Sequence, residues 1–444
     1  MGTLAVACMM FWAGLAAQSP EQNAEKYRIY RHRLLHDFMW YSGDASMQAS
    51  HLPMESRYRL DNGSRVVYWA DGTWWMGHYV AVLATEYARL KRESHQEEAL
   101  SVLEELSEAL KTYERLDWEA ESCWGGERTL NGFYLRDDVD KQMAGIFDAD
   151  QVRSDYALRC GMLESTSNGP SQDQAWASYM GFALLLKLVD DPELQHQASE
   201  IACRMIKIMY SSDEKGKKHW QVLNPVNRLL VQKENDIKWL RYPHTLAYQM
   251  FSADEQQRKL FDGSDGATAK RVWKVIQNNY SIDKNGKFNW YGVLVLSAVL
   301  NEKGNGGKTT VEWLVKETKS LSAKRPDYGQ PIMFPHLPLV NQLLYDTLVL
   351  QGHAVSDVLS KEEIGHILDA APPEGAHRIR TSNGHLDTTA APWHTLSLFC
   401  PWHTESMGEF NMLDYMLLYN LYQLVFVFPE PVSIKKEQPD LERP

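Results

Sequence analysis

The sequence predicts an all-α fold, an (α/α)6 toroid of six helical hairpins, and three observations carry that prediction. Nearly all-apolar helical segments alternate with amphipathic ones along the chain, as buried inner helices and half-wet outer helices must. The last apolar segment has no amphipathic partner after it and the first amphipathic segment has no apolar partner before it, so pairing the two closes a ring. The connections into the apolar segments are long and uneven (41–71, 115–171, 211–241 and 370–407), whereas an open helical solenoid wants uniform repeats.

The chain opens with an apolar run from Leu4 to Ala17, the length of a signal-peptide core and too short for a stable membrane anchor. Ala16 and Ala17 precede Gln18 as a cleavage point, so residues 1–17 are expected to leave and the protein to be exported, periplasmic or extracellular. A positive region before the run is missing, and a lipoprotein reading at Cys8 is weakened because the apolar run continues past it. The expected domain spans 18–427. Residues 21–40 place Tyr27, Tyr30, Leu34 and Phe38 on one helix face. The first inner helix, 72–91, begins DGTWWMGHYVAVLATEY at Asp71, which reads as its N-cap. Its outer partner, 96–114, carries Leu103, Leu106, Leu110 and Tyr113 on one face. The pattern repeats with 172–189, opening SQDQAWASYMGFALLLKLV at Ser171, and 193–210, built on Leu194, Ala198, Ile201, Met205 and Met209. Residues 242–252 start at Tyr242-Pro243, a first-turn proline, and pair with 267–279; 289–300 pair with 308–321, and 336–351 with 356–369. The last inner helix is 408–427, GEFNMLDYMLLYNLYQLVFV, followed by a polar tail, 428–444, expected to be disordered.

Hydrophobic residues make up 44% of the 444 and charged residues 23%, which is globular composition. A formal net charge of −12 argues against nucleic acid or an anionic membrane as a general partner. No later stretch reads as transmembrane. Fifteen Trp and 21 Tyr supply faces that stack on sugar rings as well as fill cores. Of five Cys, Cys8 leaves with the signal, and Cys123, Cys160, Cys203 and Cys400 match no zinc spacing. Cys203 lies on an apolar face as a buried thiol; a Cys123–Cys160 disulfide is one option in an oxidising compartment.

The helical rhythm over roughly 21–427 resembles the six-hairpin glycosidase superfamily, taken to include unsaturated glucuronyl hydrolases and many polysaccharide lyases with (α/α) toroids. The segments LNGFYLRDDV, SQDQ and GEFNMLDYMLLYNLY look like parts of one secreted bacterial family. The resemblance implies an oligosaccharide or polysaccharide substrate bound at the toroid mouth, where the inner-helix N-termini gather.

The mouth would collect these candidate groups. Arg136-Asp137-Asp138 lies in the longest loop, where its carboxylates read as a catalytic acid, a substrate clamp or a calcium site, or as a turn with a surface ion pair. Ser171 and Gln174 fit a capping box, which leaves Asp173 as an acid, a base or a helix-dipole partner. Trp74 and Trp75 are expected sugar platforms, and His78 lines the cavity or is satisfied within the core. Arg241, Tyr242 and His244 open the third inner helix, Asn289, Trp290 and Tyr291 the fourth, and His336 the fifth. Ser406 and Glu409 fit another capping box, and the loop before them offers Trp393, His394, Trp402 and His403 as aromatic-polar subsite material. These histidines lack a nearby carboxylate or Cys, so no metal centre is expected. Asp283-Lys-Asn-Gly286 starts like a calcium loop without its terminal acid and reads as a turn; no cofactor is expected.

The leading expectation is a glycoside hydrolase. One carboxylic acid protonates the leaving oxygen while a second carboxylate activates water or attacks. Asp138 and Asp173 are the expected pair, with Asp137 and Glu409 in reserve. Arg136, Trp74, Trp75, His78, Gln174, Arg241, Tyr242, Trp290, Trp393, Trp402 and His403 are the expected substrate contacts. A lyase is the alternative, with His244, His336 or Tyr242 as the base and Arg136 or Arg241 neutralising a uronate. A non-catalytic glycan-binding protein on the same scaffold is the third reading.

Overall fold

Helices dominate the residues that the computed structural model describes, namely 20–60, 62–69, 71–162, 168–209, 222–232, 361–369, 371, 378–380, 386–388 and 407–429. The signal-peptide reading, most of the tail, and the helices expected over 242–351 lie outside the described residues.

The first helix, α1 (Pro20–Asp37), starts on a proline and buries Tyr27, Tyr30 and Leu34. Helix α2 (Gly72–Arg92) is buried on every side from Gly72 to Leu90, as its apolar sequence requires. Its last turn carries Arg89, Lys91 and Arg92, which favour the negative end of the helix dipole. Helix α3 (Gln96–Trp118) opens on Glu97 and Glu98 and buries Leu106, Leu110 and Tyr113. After a short helix α4 (Asp155–Arg159) come α5 (Gln172–Leu188) and α6 (Pro192–Met209). The carboxylate of Asp191 caps α6 by accepting the Glu193 and Leu194 N–H groups at 2.9 and 3.0 Å. Helices α7 (Lys361–Asp369) and α8 (Leu413–Tyr422) follow, and α8 ends in a π turn, Gln423–Val427.

These helices form two layers. The inner helices α8, α2 and α5 lie side by side in that order, and each meets an outer helix: α8 meets α1, α2 meets α3, and α5 meets α6. Helix α7 also packs on α8. It lies beside α1, whose Lys26 ammonium donates to the carbonyls of Leu368, Asp369 and Ala371. The pairing of the N-terminal helix with the last inner helix is therefore present. Helices α2 and α5 approach closely because Gly77 and Gly181 face each other's backbones; a Cβ on either would collide with main-chain atoms of the other helix. A buried ionic network ties the layers together. Arg31 on α1 pairs with Glu86 on α2 at 2.9 Å and Glu105 on α3 at 2.6 Å, and the Tyr79 hydroxyl donates to Glu105. Removing one member would strand a buried charge, which typically costs about 3–5 kcal/mol.

A four-stranded sheet departs from the nearly all-helical expectation. Its order is β3 (Gln151–Arg153), β2 (Arg65–Tyr68), β1 (Ser56–Arg59), β8 (Met407–Phe410), all within a structure that also holds the two-stranded pairs β4 (Val222–Leu223) with β5 (Leu230–Gln232) and β6 (Arg378–Arg380) with β7 (Leu386–Thr388). Strand β1 runs antiparallel to both β2 and β8, with Ser56 opposite Tyr68 and Phe410, and β2 runs parallel to β3. Three segments expected as loops or helix start thus meet edge to edge.

The last inner helix consequently begins at Leu413 rather than 408. Gly408 and Glu409 pair with β1, and the Asn411 side chain takes the first helical N–H, that of Leu413, at 3.1 Å. Glu409 lies on β8 and not in a first helical turn, while Ser406, the other half of the expected capping box, lies outside the described residues. Cys123 and Cys160, with Cα atoms 5.2 Å apart, are disulfide-bonded. Cys203 is buried, and burial pushes its thiol up to about 11.

Candidate functional site

Strands β2 and β8 flank β1, and each leads through a left-handed residue into an inner helix. Asp71 (φ 59°, ψ 37°) precedes α2, and Met412 (φ 60°, ψ 22°) precedes α8. A non-glycine residue in this region is strained, and aspartate tolerates it better than most. Gly72 follows Asp71 because the chain passes so close to the 136–137 loop that a Cβ there would lie 2.8 Å from the Arg136 carbonyl oxygen. That carbonyl accepts the Thr73 N–H at 2.8 Å.

The left-handed turn redirects the Asp71 side chain. An N-cap carboxylate accepts from its own helix and needs an extended backbone; Asp71 makes no such bond. Its expected role as a cap is replaced by a clamp: Oδ1 accepts from Gln174 Nε2 at 2.7 Å and from Arg136 Nη1 at 3.3 Å. The Asp71 side chain is still 39% exposed.

A second carboxylate, near enough for its proton affinity to feel the Asp71 charge, sits in the opposite environment. Glu55 immediately precedes β1, between the ends of β2 and β8. Its N–H donates to the Tyr68 carbonyl at 2.9 Å and its carbonyl accepts the Asn411 N–H at 3.2 Å. This holds the side chain inward, where Oε2 accepts from Trp75 Nε1 at 3.3 Å, and the residue is 3% exposed. Burial foremost, then the nearby Asp71 charge, pushes the Glu55 carboxyl up to about 8, against the pull of the Trp75 N–H. Glu55 therefore carries its proton at neutral pH beside a carboxylate held by a guanidinium and an amide.

The expected acids in the 136–138 loop have other tasks. Asp137 is fully buried: Oδ1 accepts the N–H groups of Val139 and Tyr156 at 3.1 and 3.2 Å, and Oδ2 accepts that of Asp155 at 2.8 Å. It closes the turn and anchors the start of α4. Asp138 is 4% exposed, receives Arg115 Nε at 2.7 Å and Nη2 at 3.4 Å, and accepts the Ala49 N–H at 3.1 Å. Asp138, the expected catalytic acid, and Asp137, its reserve, have their oxygens engaged by backbone amides and a buried arginine. Arg136 does reach the site, bridging Asp71, the Gly169 carbonyl (3.0 Å) and Asp155 (3.6 Å).

Trp74 and Trp75 are buried, so neither offers the open platform expected of it, and the Trp75 indole instead holds Glu55. His78 is buried against both indoles, with Nδ1 paired to the Trp74 carbonyl at 2.9 Å. Burial pushes its imidazole down to about 4, so it is neutral. Gln174 is fully buried and leaves the expected capping box: Nε2 donates to Asp71, and Oε1 accepts from the Thr73 hydroxyl. Ser171, the other half of that box, makes no cap bond. Glu409 sits on edge strand β8 with its side chain 49% exposed and pairs with Arg33 at 2.8 Å. The residue expected as a reserve catalytic acid is thus paired with α1. Asp173 falls in the first turn of α5, but its side chain lies outside the described residues, as do Arg241, Tyr242, His244, Trp290, His336, Trp393, Trp402 and His403.

Glu55 escaped the sequence reading because nothing in a helical rhythm marks it. The faint signal was SRYR beside RVVY, two short strands that bring the preceding glutamate to the helix ends. Among the described residues no cluster of three His, Cys, Asp or Glu side chains is arranged to hold a metal ion, and no helix is long and apolar enough to cross a membrane. Comparison with protein-family models, curated proteins and solved structures gave no match.

Proposed function

We propose that this chain is an exported glycoside hydrolase acting on oligosaccharides, with Glu55 as the general acid and Asp71 as the base or nucleophile. The observation that carries the reading is the pair itself. Two carboxyl groups that feel each other's charge sit in unlike environments, one buried with its proton affinity raised, the other held by cationic and amide donors and partly open. Pairs divided in this way assign the acid and the base of a hydrolytic site. A strained backbone under the proposed base adds support, since such strain concentrates where a side chain must project from a tight turn. The three adjacent inner helices, each with an outer partner, are what an arc of an (α/α)6 toroid would contain, and the site lies where the mouth of that toroid would be. The Cys123–Cys160 bond fits an oxidising compartment, in line with export.

The test is turnover of a panel of aryl glycosides and oligosaccharides, read as new reducing ends. Glu55→Gln and Asp71→Asn should each lower turnover by about a thousandfold, in the range of lost acid–base catalysis, with the thermal melt close to that of the parent. Full turnover in either folded variant would remove that residue from the mechanism. Glycan binding without any product would favour a binding protein instead.

A further inference from the structure

We propose that Gln174 is a positioning residue for Asp71, with Thr73 setting the direction of its amide. The inference rests on the carboxylate-pair reading above and assigns the part that Gln174 plays in it. An amide side chain can face a carboxylate with either its oxygen or its nitrogen, and only the nitrogen attracts. Here the choice is made from the far side. The Thr73 hydroxyl donates to Gln174 Oε1, which leaves Nε2 to meet Asp71 Oδ1 at 2.7 Å. Both Thr73 and Gln174 are fully buried, so water cannot compete for the bond between them. The frame around them is stiff. Ser178 Oγ donates to the Gln174 carbonyl at 2.9 Å and takes the Tyr113 hydroxyl at 2.8 Å, and the glycine contact between α2 and α5 fixes the distance the amide must span.

Gln174 thus acts on Asp71 from a neighbouring inner helix, while Arg136 acts on the same oxygen from the 136–138 loop. One donor of fixed direction and one cation together hold Oδ1 of the carboxylate and restrict its rotation about the Cβ–Cγ bond. Losing the amide donor would free that rotation and weaken the preference of Asp71 for its charged form.

The measurement is carbodiimide labelling of Asp71 as a function of pH in the full chain, read by peptide mass spectrometry, because the reagent attacks the protonated carboxyl. It reports the protonation midpoint of Asp71 whether or not the protein hydrolyses a sugar. Gln174→Met, which keeps the volume and removes the donor, should raise the midpoint by about one pH unit. Thr73→Val, which lets the amide turn over, should raise it by less, and Thr73→Ser should restore the parent value. Thr73→Val is close to the parent in shape and carries the test should Gln174→Met fail to fold. An unchanged midpoint in a folded Gln174→Met or Thr73→Val protein would overturn the assignment. Loss of turnover in Asp71→Asn bears on the hydrolase reading alone, and the labelling midpoint bears on Gln174 alone, so failure of one is distinguishable from failure of the other.

Discussion

The Asp71 junction and the Asp137–Asp138 turn are both acidic and are joined by Arg136, yet they are built in opposite ways. In the turn, backbone amides and the Arg115 guanidinium occupy the carboxylates, and both residues are sealed from water. At the junction, side chains hold the carboxylates, one in the dark and one in the light: Trp75 at Glu55, and Gln174 and Arg136 at Asp71. Carboxylates that close backbone turns specify a loop. Here the carboxylates are held by other side chains, and one of them is partly open to solvent. Two adjacent aspartates in a long loop draw the eye in a sequence, but chemical availability is decided by what has already claimed their oxygens.

The sharpest way to break this comparison is a crossed pair of substitutions. Asp138→Asn leaves Arg115 without its counter-charge in a buried site and should lower stability by about 3–5 kcal/mol, read as a fall in the denaturant midpoint. Asp71→Asn should do the reverse, removing turnover with little change in that midpoint. An Asp138→Asn protein of parental stability, or an Asp71→Asn protein that unfolds, would erase the distinction. A smaller effect tests the bond between the two regions. Gly72→Ala places a methyl against the Arg136 carbonyl and the Asp137 Cβ, at 2.8 and 3.0 Å, and should cost about 1–3 kcal/mol by overpacking. It should lower turnover as well, because the loop that must move carries Arg136.

The smallest effect concerns His51, which borders the turn: its neighbour Ser50 gives its carbonyl to Arg115 at 2.9 Å. Both imidazole nitrogens are buried without a hydrogen-bond partner, and Glu108 stands 3.8 Å away. Burial pushes the imidazole down from 6.5 to about 4, with Arg115 and Lys111 pressing the same way and Glu108 opposing. The unfolded chain therefore binds a proton that the folded chain refuses between those values. Stability from this group is full above about pH 6.5 and is lost as pH falls towards 4, by on the order of 3 kcal/mol. Melts of His51→Asn, a residue that tolerates the left-handed backbone at φ 58°, should fall less steeply over that window. An equal slope would mean that another group governs acid sensitivity.

Much of the helical frame was legible because long apolar and amphipathic stretches declare their period: α1, α2, α3, α5 and α6 lie where the spacing puts them. The sheet was not, for a physical reason. Its strands are three or four residues long, too short for alternation to register, and β2 finds its parallel partner β3 more than eighty residues later. The site was half legible. Asp71 and Gln174 were noticed as helix caps, since a polar residue before an apolar run satisfies local rules. What overrode those rules was a contact across 103 positions between them, made possible by the glycine-mediated closeness of α2 and α5. Glu55 had no local signature because its burial comes from strands that no helical pattern foretells.

The central claim is that Glu55 is protonated at neutral pH. Infrared difference spectroscopy of the parent protein against Glu55→Gln reads it directly through the carbonyl stretch of a protonated carboxyl. The account predicts a band at pH 7 that is present in the parent, missing in Glu55→Gln, and titrates away near pH 8. A difference spectrum without that band at pH 7, or one whose band disappears by about pH 5, where an ordinary glutamate titrates, would contradict it.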